Sequence, residues 1–129
     1  MTARVLLIDD DDVAREFLAS LLKEGGYEVF ELPSPIGATR TILSERIDAV
    51  VLDIFMPQMD GDKSAKMLRE NARLGGLAII LVSGSDPTKL REIAERVKAD
   101  AVVSKADART SLVSTVRAAL RSKSRFKTQ

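Results

Sequence analysis

The sequence contains no cysteine and no histidine. Without cysteine, the chain has neither disulfide bonds nor thiolate metal sites. Without histidine, it lacks the usual general base of enzymes and the usual zinc ligand. Chemistry at this chain must therefore rely on carboxylates, hydroxyls and ammonium groups.

Long apolar segments are missing as well. No run approaches the ~20 apolar residues that span a bilayer, and residues 1–4 lead into a strand-like run without a signal-peptide pattern. We therefore expect a cytoplasmic protein that makes no membrane contact. Hydrophobic residues make up 45% of the 129 residues, which suits one folded domain with a single core.

Charge is nearly balanced overall but unevenly distributed. Residues 1–60 contain 12 acidic and 5 basic side chains, whereas residues 61–129 contain 7 acidic and 15 basic ones. Because charges along helices normally face solvent, we interpret most of this asymmetry as solvated surface. The segment Arg121–Lys127 has four cations and no acid. We expect one domain over residues 1–121, a disordered basic tail over residues 122–129 and no direct contact with nucleic acid.

Strand-like and helix-like segments alternate five times. The predicted strands are Arg4–Asp9, Tyr27–Leu32, Ile47–Asp53, Leu77–Ser83 and Ala101–Ser104. Most are near-continuous apolar runs, typical of parallel strands covered on both faces, whereas the second carries Glu28 and Glu31, as an edge strand does. Five βα units predict an α/β fold with a doubly wound, five-stranded parallel sheet.

Capping residues set the predicted helix starts, which are Asp12, Ser34, Asp60, Asp86 and Asp107. Proline at the first helical position, as at Pro35 and Pro87, strengthens two of these predictions. We expect the second helix to end near Arg46 and the third near Arg73. The predicted buried stripe of the first helix consists of Val13, Phe17, Leu18, Leu21 and Leu22.

Polar side chains stand where four of the predicted strands end: Asp9 and Asp10, Asp53, Ser83, and Lys105. In a parallel α/β sheet, ligands bind at this edge. Clustered carboxylates repel one another unless a cation joins them, and Mg²⁺ prefers carboxylate oxygens together with phosphate and water. An ammonium and a hydroxyl can both contact phosphoryl oxygens. The sequence therefore predicts a site for a divalent metal and a phosphoryl group, although each residue alone also fits a turn, a loop or an exposed surface.

These residues lie in four motifs: Val5–Asp11, Val51–Gly61, Ile79–Gly84 and Ala99–Lys105. Together they resemble the receiver domains of two-component response regulators, in particular the single-domain chemotaxis type, over about residues 3–121. The resemblance implies a flavodoxin-like (βα)5 fold with strand order 2-1-3-4-5. It also implies a phosphoacceptor, rather than a conventional enzyme, that accepts a phosphoryl group from a sensor histidine kinase or a histidine phosphotransfer protein and signals to a downstream protein.

The resemblance also assigns roles to single residues. Asp53 is the phosphoacceptor. Asp10 and Asp53 ligate Mg²⁺ directly with the backbone carbonyl of Phe55, and Asp9 acts mainly through water. The side chains expected to bind the phosphoryl oxygens are Ser83 and Lys105.

Two positions depart from the family pattern. Receivers usually carry an aromatic residue three positions before the lysine and a proline after it, joined by a cis bond; this chain has Val102 and Ala106 there. A non-proline cis bond costs ~2.5–4 kcal/mol, so we expect a trans bond at Lys105–Ala106. Both changes lie near the face that commonly serves as the output surface. The kinase is expected to dock on the first helix near Ala14, Phe17 and Leu18, although these residues are also good candidates for the core.

Three other interpretations remain open. A phosphorylation-independent, receiver-like interaction module is consistent with Val102 and Ala106. A haloacid-dehalogenase-type phosphatase also uses a nucleophilic aspartate with Mg²⁺, but that family has a second aspartate two residues later, where this chain has Phe55. In the third interpretation, the chain is one receiver cut from a longer kinase or regulator.

Overall fold

Five apolar runs form the strands of one parallel sheet in a computed structural model that describes residues 2–56, 59–70, 76–84 and 87–127. The strands are β1 (Arg4–Ile8), β2 (Glu28–Leu32), β3 (Ala49–Asp53), β4 (Ala78–Ser83) and β5 (Ala101–Ser104). Their spatial order is β2-β1-β3-β4-β5, which confirms the predicted flavodoxin-like order and the edge position of β2.

Parallel register brings the strand ends together at one edge of the sheet. Ile8, the last residue of β1, is level with Leu32 in β2 and with Leu52 in β3. Asp53 is level with Val82, so β4 extends one residue farther, to Ser83. Every residue of β3 and β4 is buried. The polar residues that follow these strands are therefore held by rigid, fully covered elements.

Helices cover both faces of the sheet. They are α1 (Asp12–Glu24), α2 (Ala38–Ser44), α3 (Gly61–Glu70), α4 (Pro87–Val97) and α5 (Ala108–Lys127). Helices α1 and α5 pack on one face, and α2, α3 and α4 pack on the other. A 3-10 turn, Lys105–Asp107, joins β5 to α5. Between β3 and α3, the two-residue strands Phe55–Met56 and Met59–Asp60 pair antiparallel.

Helix α1 begins differently from the prediction. Asp11, not Asp12, is the N-cap: its carboxylate accepts a hydrogen bond from the amide of Val13 at 3.1 Å. Val13 was expected in the buried stripe, but it is 77% exposed. It lies in the first turn, beyond the edge of the sheet, and the buried contacts of α1 begin only at Leu18.

Helix α2 starts later than the Ser34–Pro35 pattern predicted. The hydroxyl of Ser34 accepts from the amide of Ile36 at 3.3 Å, so this residue caps a turn and not the helix. The helix N-cap is Gly37, whose φ of 84° is readily adopted by glycine. The helix then ends at Ser44, two residues before the predicted end.

The remaining helix starts agree better with the sequence. Helix α3 begins directly after Asp60, and α4 begins at Pro87 as predicted, whereas Asp86 and Arg73 lie outside the described residues. Helix α5 runs past residue 121 to Lys127. The domain boundary and disordered tail expected there stay predictions. No helix in the described ranges is both long and apolar enough to span a membrane.

Candidate functional site

Asp9 directly follows β1 and is completely buried. Its amide donates to the carbonyl of Leu32 in β2 at 3.2 Å, and its Oδ1 accepts from the amide of Asp11 at 2.9 Å. Its Oδ2 is also buried, and the ammonium of Lys105 lies 3.0 Å from it. A buried carboxylate needs such a compensating cation, because its charge is costly away from water.

Asp10 and Asp53 complete an acidic cluster with Asp9. Asp53 is the last residue of β3 and is 5% exposed, whereas Asp10 lies exposed between β1 and α1. One carboxylate oxygen from each of the three residues lies within 4.8 Å of the others. The structure thus brings together the three aspartates that the sequence analysis singled out.

Lys105 places one ammonium group between two of these carboxylates. It is the first residue of the 3-10 turn after β5, and its Nζ lies 3.0 Å from Oδ2 of Asp9 and 3.3 Å from Oδ2 of Asp53. Burial alone would lower the pKa of Lys105, but its contacts with Asp9 and Asp53 outweigh burial and raise that pKa. The amine therefore remains protonated at neutral pH.

The donor set of this cluster fits Mg²⁺. Three carboxylates and one ammonium leave a formal excess of negative charge, and two of the carboxylates are almost fully buried. Such an arrangement favours an added cation. All the offered ligand atoms are oxygens, which hard divalent cations prefer.

Ser83 and Phe55 lie at the same edge of the sheet. Ser83 is the fully buried last residue of β4, paired in register with Ser104 of β5. It is one position past Val82, the residue that is level with Asp53, and binding of a phosphoryl oxygen by its hydroxyl stays a prediction. Phe55 opens the short strand two residues after Asp53. Metal binding by its carbonyl stays a prediction.

The two positions that depart from the family pattern are ordinary in conformation. No described peptide bond is cis, so Lys105–Ala106 is trans as expected, and the hydroxyl of Ser104 accepts from the amide of Ala106 at 3.2 Å. Val102 is half-buried and packs against the core beneath α2, α3 and α4. Its side chain contributes to this core and contains no aromatic ring.

The expected kinase-docking residues on α1 differ in exposure. Ala14 and Phe17 are partly exposed, and the guanidinium of Arg109 from α5 lies 5.2 Å from the centre of the Phe17 ring. Leu18 is only 2% exposed because it packs into the core between α1, α5 and the sheet. Leu18 is therefore a core residue, and docking of a kinase near this part of α1 stays a prediction.

Arg15 is a residue that the sequence analysis missed. Its guanidinium Nη1 donates to the backbone carbonyl of Asp9 at 2.7 Å, and Nη2 contacts the carboxylate of Asp12 at 2.6 Å. One signal pointed to it: Arg15 is the single basic residue in the segment 5–22, which contains five acids. A basic side chain in such an acidic segment is expected to pair with a carboxylate, but no sequence pattern indicates the contact of Arg15 with the carbonyl of Asp9.

Comparison with known proteins agrees with this fold. Residues 5–117 match the family described as response regulator receiver domain. The response regulator MprA of Mycobacterium ulcerans is 34% identical over 121 residues, covering 94% of this chain and 51% of the relative. The Mycobacterium tuberculosis protein of the same name is also 34% identical, with 52% of its length covered. The chain therefore spans about half the length of these curated relatives.

Solved structures show the same architecture. A putative response regulator from Chloroflexus aurantiacus has a TM-score of 0.85 at 26% identity, covering 94% of this chain and 99% of that one. A CheY-like receiver domain protein from Methanospirillum hungatei has a TM-score of 0.84 at 22% identity, covering 97% and 98%. The second likeness concerns the fold alone.

Proposed function

Because the chain belongs to the response regulator receiver domain family, we propose that it is a phosphoacceptor module of a two-component phosphorelay. Asp53 accepts a phosphoryl group from a sensor histidine kinase or a histidine phosphotransfer protein, and the phosphorylated form signals to a downstream protein. One observation carries this proposal. Asp53 Oδ2 lies 3.3 Å from a lysine ammonium, within a three-aspartate cluster at the ligand-binding edge of a parallel sheet.

In the proposed transfer, a carboxylate oxygen of Asp53 attacks the phosphorus of the donor's phosphohistidine. The new P–O bond forms as the P–N bond breaks, and the electron pair of that bond remains on the donor imidazole, which takes up a proton. Phosphoryl transfer depends on alignment and charge neutralisation more than on covalent help from the protein. The missing histidine of this chain is therefore no obstacle, because the donor supplies the imidazole.

Lys105 and Ser83 would bind the incoming group. The ammonium of Lys105 contacts the side chain that is to be phosphorylated, and its raised pKa keeps it charged there. From that position it neutralises charge on a phosphoryl oxygen. The hydroxyl of Ser83, at the end of the neighbouring strand, donates to a second phosphoryl oxygen. Both contacts hold the product as well as the transition state.

Mg²⁺ would be held by Asp10, Asp53 and the carbonyl of Phe55, with Asp9 acting mainly through water. When bound, the ion neutralises negative charge on the transferred phosphoryl group. The all-oxygen donor set and the excess of carboxylates over cations support this assignment. The chain's own contribution is to hold these carboxylates at the ends of buried strands.

The same proposal includes the location of the protein, its kind of partner and the extent of the receiver. The protein acts in the cytoplasm through protein contacts, without binding membrane or nucleic acid directly. It promotes its own phosphorylation and dephosphorylation and is not a conventional enzyme. The receiver comprises residues 1–121. The length of the relatives, about twice that of this chain, also favours a receiver that belongs to a longer regulator.

A second candidate function rests on the residues near β5. A phosphorylation-independent interaction module would keep the acidic site but not the switch. Val102 has no ring to reorient, and the trans bond at Ala106 differs from the family pattern. The ion pairs of Lys105 with Asp9 and Asp53 weigh against this alternative, because they hold the ammonium beside the carboxylate that is proposed to be phosphorylated.

The test is intact-mass analysis after incubation with acetyl phosphate, with and without Mg²⁺. We expect one added phosphoryl mass that requires Mg²⁺ and is absent in Asp53→Asn. The exposed Asp107→Asn variant serves as the matched control and should be modified like the wild type. If folded wild-type protein takes up no phosphoryl group from acetyl phosphate or from any histidine kinase offered, the interaction module becomes the better description.

A further inference from the structure

We propose that Arg15 is a positioning residue for the acidic cluster, holding the β1–α1 loop in the conformation that presents Asp9 and Asp10 to the metal. The proposal rests on the function proposed above. In this role Arg15 contacts neither the metal nor the phosphoryl group. The guanidinium acts through the loop backbone.

The contacts of Arg15 connect three separate segments. Nη1 donates to the carbonyl of Asp9 at 2.7 Å, Nη2 pairs with Asp12 at 2.6 Å, and Nε lies 3.6 Å from Oε1 of Glu31 in β2. The side chain of Arg15 is only 17% exposed. A planar guanidinium with donors in a fixed fork can satisfy all three contacts at once, which a single ammonium cannot.

The carbonyl contact matters because it fixes the residue that carries the buried carboxylate. The Asp9 amide is held by Leu32, its carbonyl by Arg15 and its Oδ1 by the amide of Asp11. With the backbone held on both sides, Oδ2 stays directed toward Lys105 and the cluster. Asp10 follows in the same loop, so its path is constrained by the same contact.

Two opposite effects on Mg²⁺ affinity can be separated by their sign. If Arg15 acts mainly as a nearby positive charge, it repels Mg²⁺, and neutralising it should tighten binding. If Arg15 positions the loop, its loss should weaken binding, because partners that orient metal ligands typically contribute about 10–100-fold in affinity. A purely structural ion pair would change stability and leave the affinity unaltered.

The experiment measures the Kd for Mg²⁺ by calorimetry in wild type, Arg15→Gln, Arg15→Lys and Glu31→Gln. Arg117→Gln, an exposed arginine on α5, is the matched control. We expect Arg15→Gln to raise Kd by about tenfold. Arg15→Lys should fall between it and wild type, Glu31→Gln should show a smaller rise, and the control should be unchanged.

A second readout separates positioning from folding. With acetyl phosphate as donor, the Mg²⁺ concentration for half-maximal phosphorylation should rise in Arg15→Gln by the same factor as Kd. The rate at saturating Mg²⁺ should stay within about twofold of wild type, because the ligands themselves remain. A fall in that plateau with unchanged half-saturation would overturn the positioning role.

The possible outcomes distinguish this inference from the proposed function. Wild-type Mg²⁺ binding with equal or tighter binding by Arg15→Gln overturns the role of Arg15 and leaves the phosphoacceptor intact. Absence of Mg²⁺ binding by the wild type contradicts the proposed metal site and this inference with it. If Arg15→Gln does not fold, Arg15→Lys and Glu31→Gln decide: weaker binding in both supports the proposal, and wild-type affinity in both rejects it.

Discussion

Replacing Asp53 by asparagine should stabilise the metal-free protein while removing the proposed phosphoacceptor. In the wild type, Asp53 shares a largely buried region with the carboxylates of Asp9 and Asp10 and the ammonium of Lys105. The substitution keeps the shape of the side chain and removes one negative charge. The remaining buried carboxylate, on Asp9, then forms a more nearly balanced pair with Lys105 at 3.0 Å.

The magnitude follows from the distances. Two carboxylate oxygens within 4.8 Å of one another repel by at least about 3.5 kcal/mol at an effective dielectric constant of about 20. The Lys105–Asp53 contact at 3.3 Å attracts by about 5 kcal/mol on the same scale. Repulsion from Asp9 and Asp10 therefore about cancels this attraction, once the exposure of Asp10 is allowed for. Desolvation of the 5%-exposed Asp53 carboxylate then decides the sign. We expect a gain of about 1–3 kcal/mol in the free energy of unfolding.

The assay is urea unfolding followed by far-ultraviolet circular dichroism, since the chain has no tryptophan and only one tyrosine. In the presence of a chelator, Asp53→Asn should show a higher midpoint with an unchanged slope. Mg²⁺ should then stabilise the wild type by about 2.7 kcal/mol at a hundredfold excess over its Kd, and the variant by less. The difference between the two proteins should therefore shrink or reverse with Mg²⁺.

Glu92→Gln provides the control for a generic loss of one negative charge. This glutamate is exposed on α4, and its substitution should change stability by no more than about 0.5 kcal/mol. A metal-free Asp53→Asn protein that is less stable than the wild type would refute the reasoning. It would mean that the ion pair with Lys105 outweighs both carboxylate repulsion and desolvation.

Two further predictions concern the backbone. Lys98 follows α4 with a φ of 59°, which glycine adopts more readily, so Lys98→Gly should raise the free energy of unfolding by about 0.5–1 kcal/mol in urea titrations. As a control, Lys66→Gly within α3 should lower the free energy of unfolding by about 1 kcal/mol. Equal effects of the two substitutions would contradict this prediction. A Cβ on Gly25 would lie 2.7 Å from Cγ1 of Val113, so Gly25→Ala should lower Tm and cost about 1–3 kcal/mol. Adding Val113→Ala should cost less in the Gly25→Ala background than in the wild type, and strictly additive effects would exclude the clash.

The sheet was predictable because its strands are buried on both faces. Runs such as Val50–Leu52 are apolar at every position, so their composition alone indicates central parallel strands. Helix starts were less predictable, because the same residues that cap helices also cap turns. Ser34 illustrates this: its hydroxyl accepts a hydrogen bond from the amide of Ile36, and the helix begins only at Ala38.

The candidate site was predictable to the extent that it consists of strand ends. Asp9, Asp53 and Lys105 each follow an apolar run, and parallel topology brings such ends together. Arg15 was not predictable in this way, because its carbonyl contact depends on how α1 folds back over the loop. The exposure of Val13 was missed because helical periodicity does not indicate how far the core extends past the sheet edge.

The charges of the acidic cluster lower the stability of the fold but suit the binding of a cation. Among the described residues, three carboxylates lie against the ammonium of Lys105, and this imbalance of formal charge is unfavourable in a folded core. A chain selected only for stability would replace one of these acids, as Asp53→Asn does. The same negative charge that should destabilise the metal-free fold would attract the proposed Mg²⁺, and a ligand that binds only the folded state stabilises it. Stability measured with and without Mg²⁺ therefore reports directly on how strongly the carboxylates are held together.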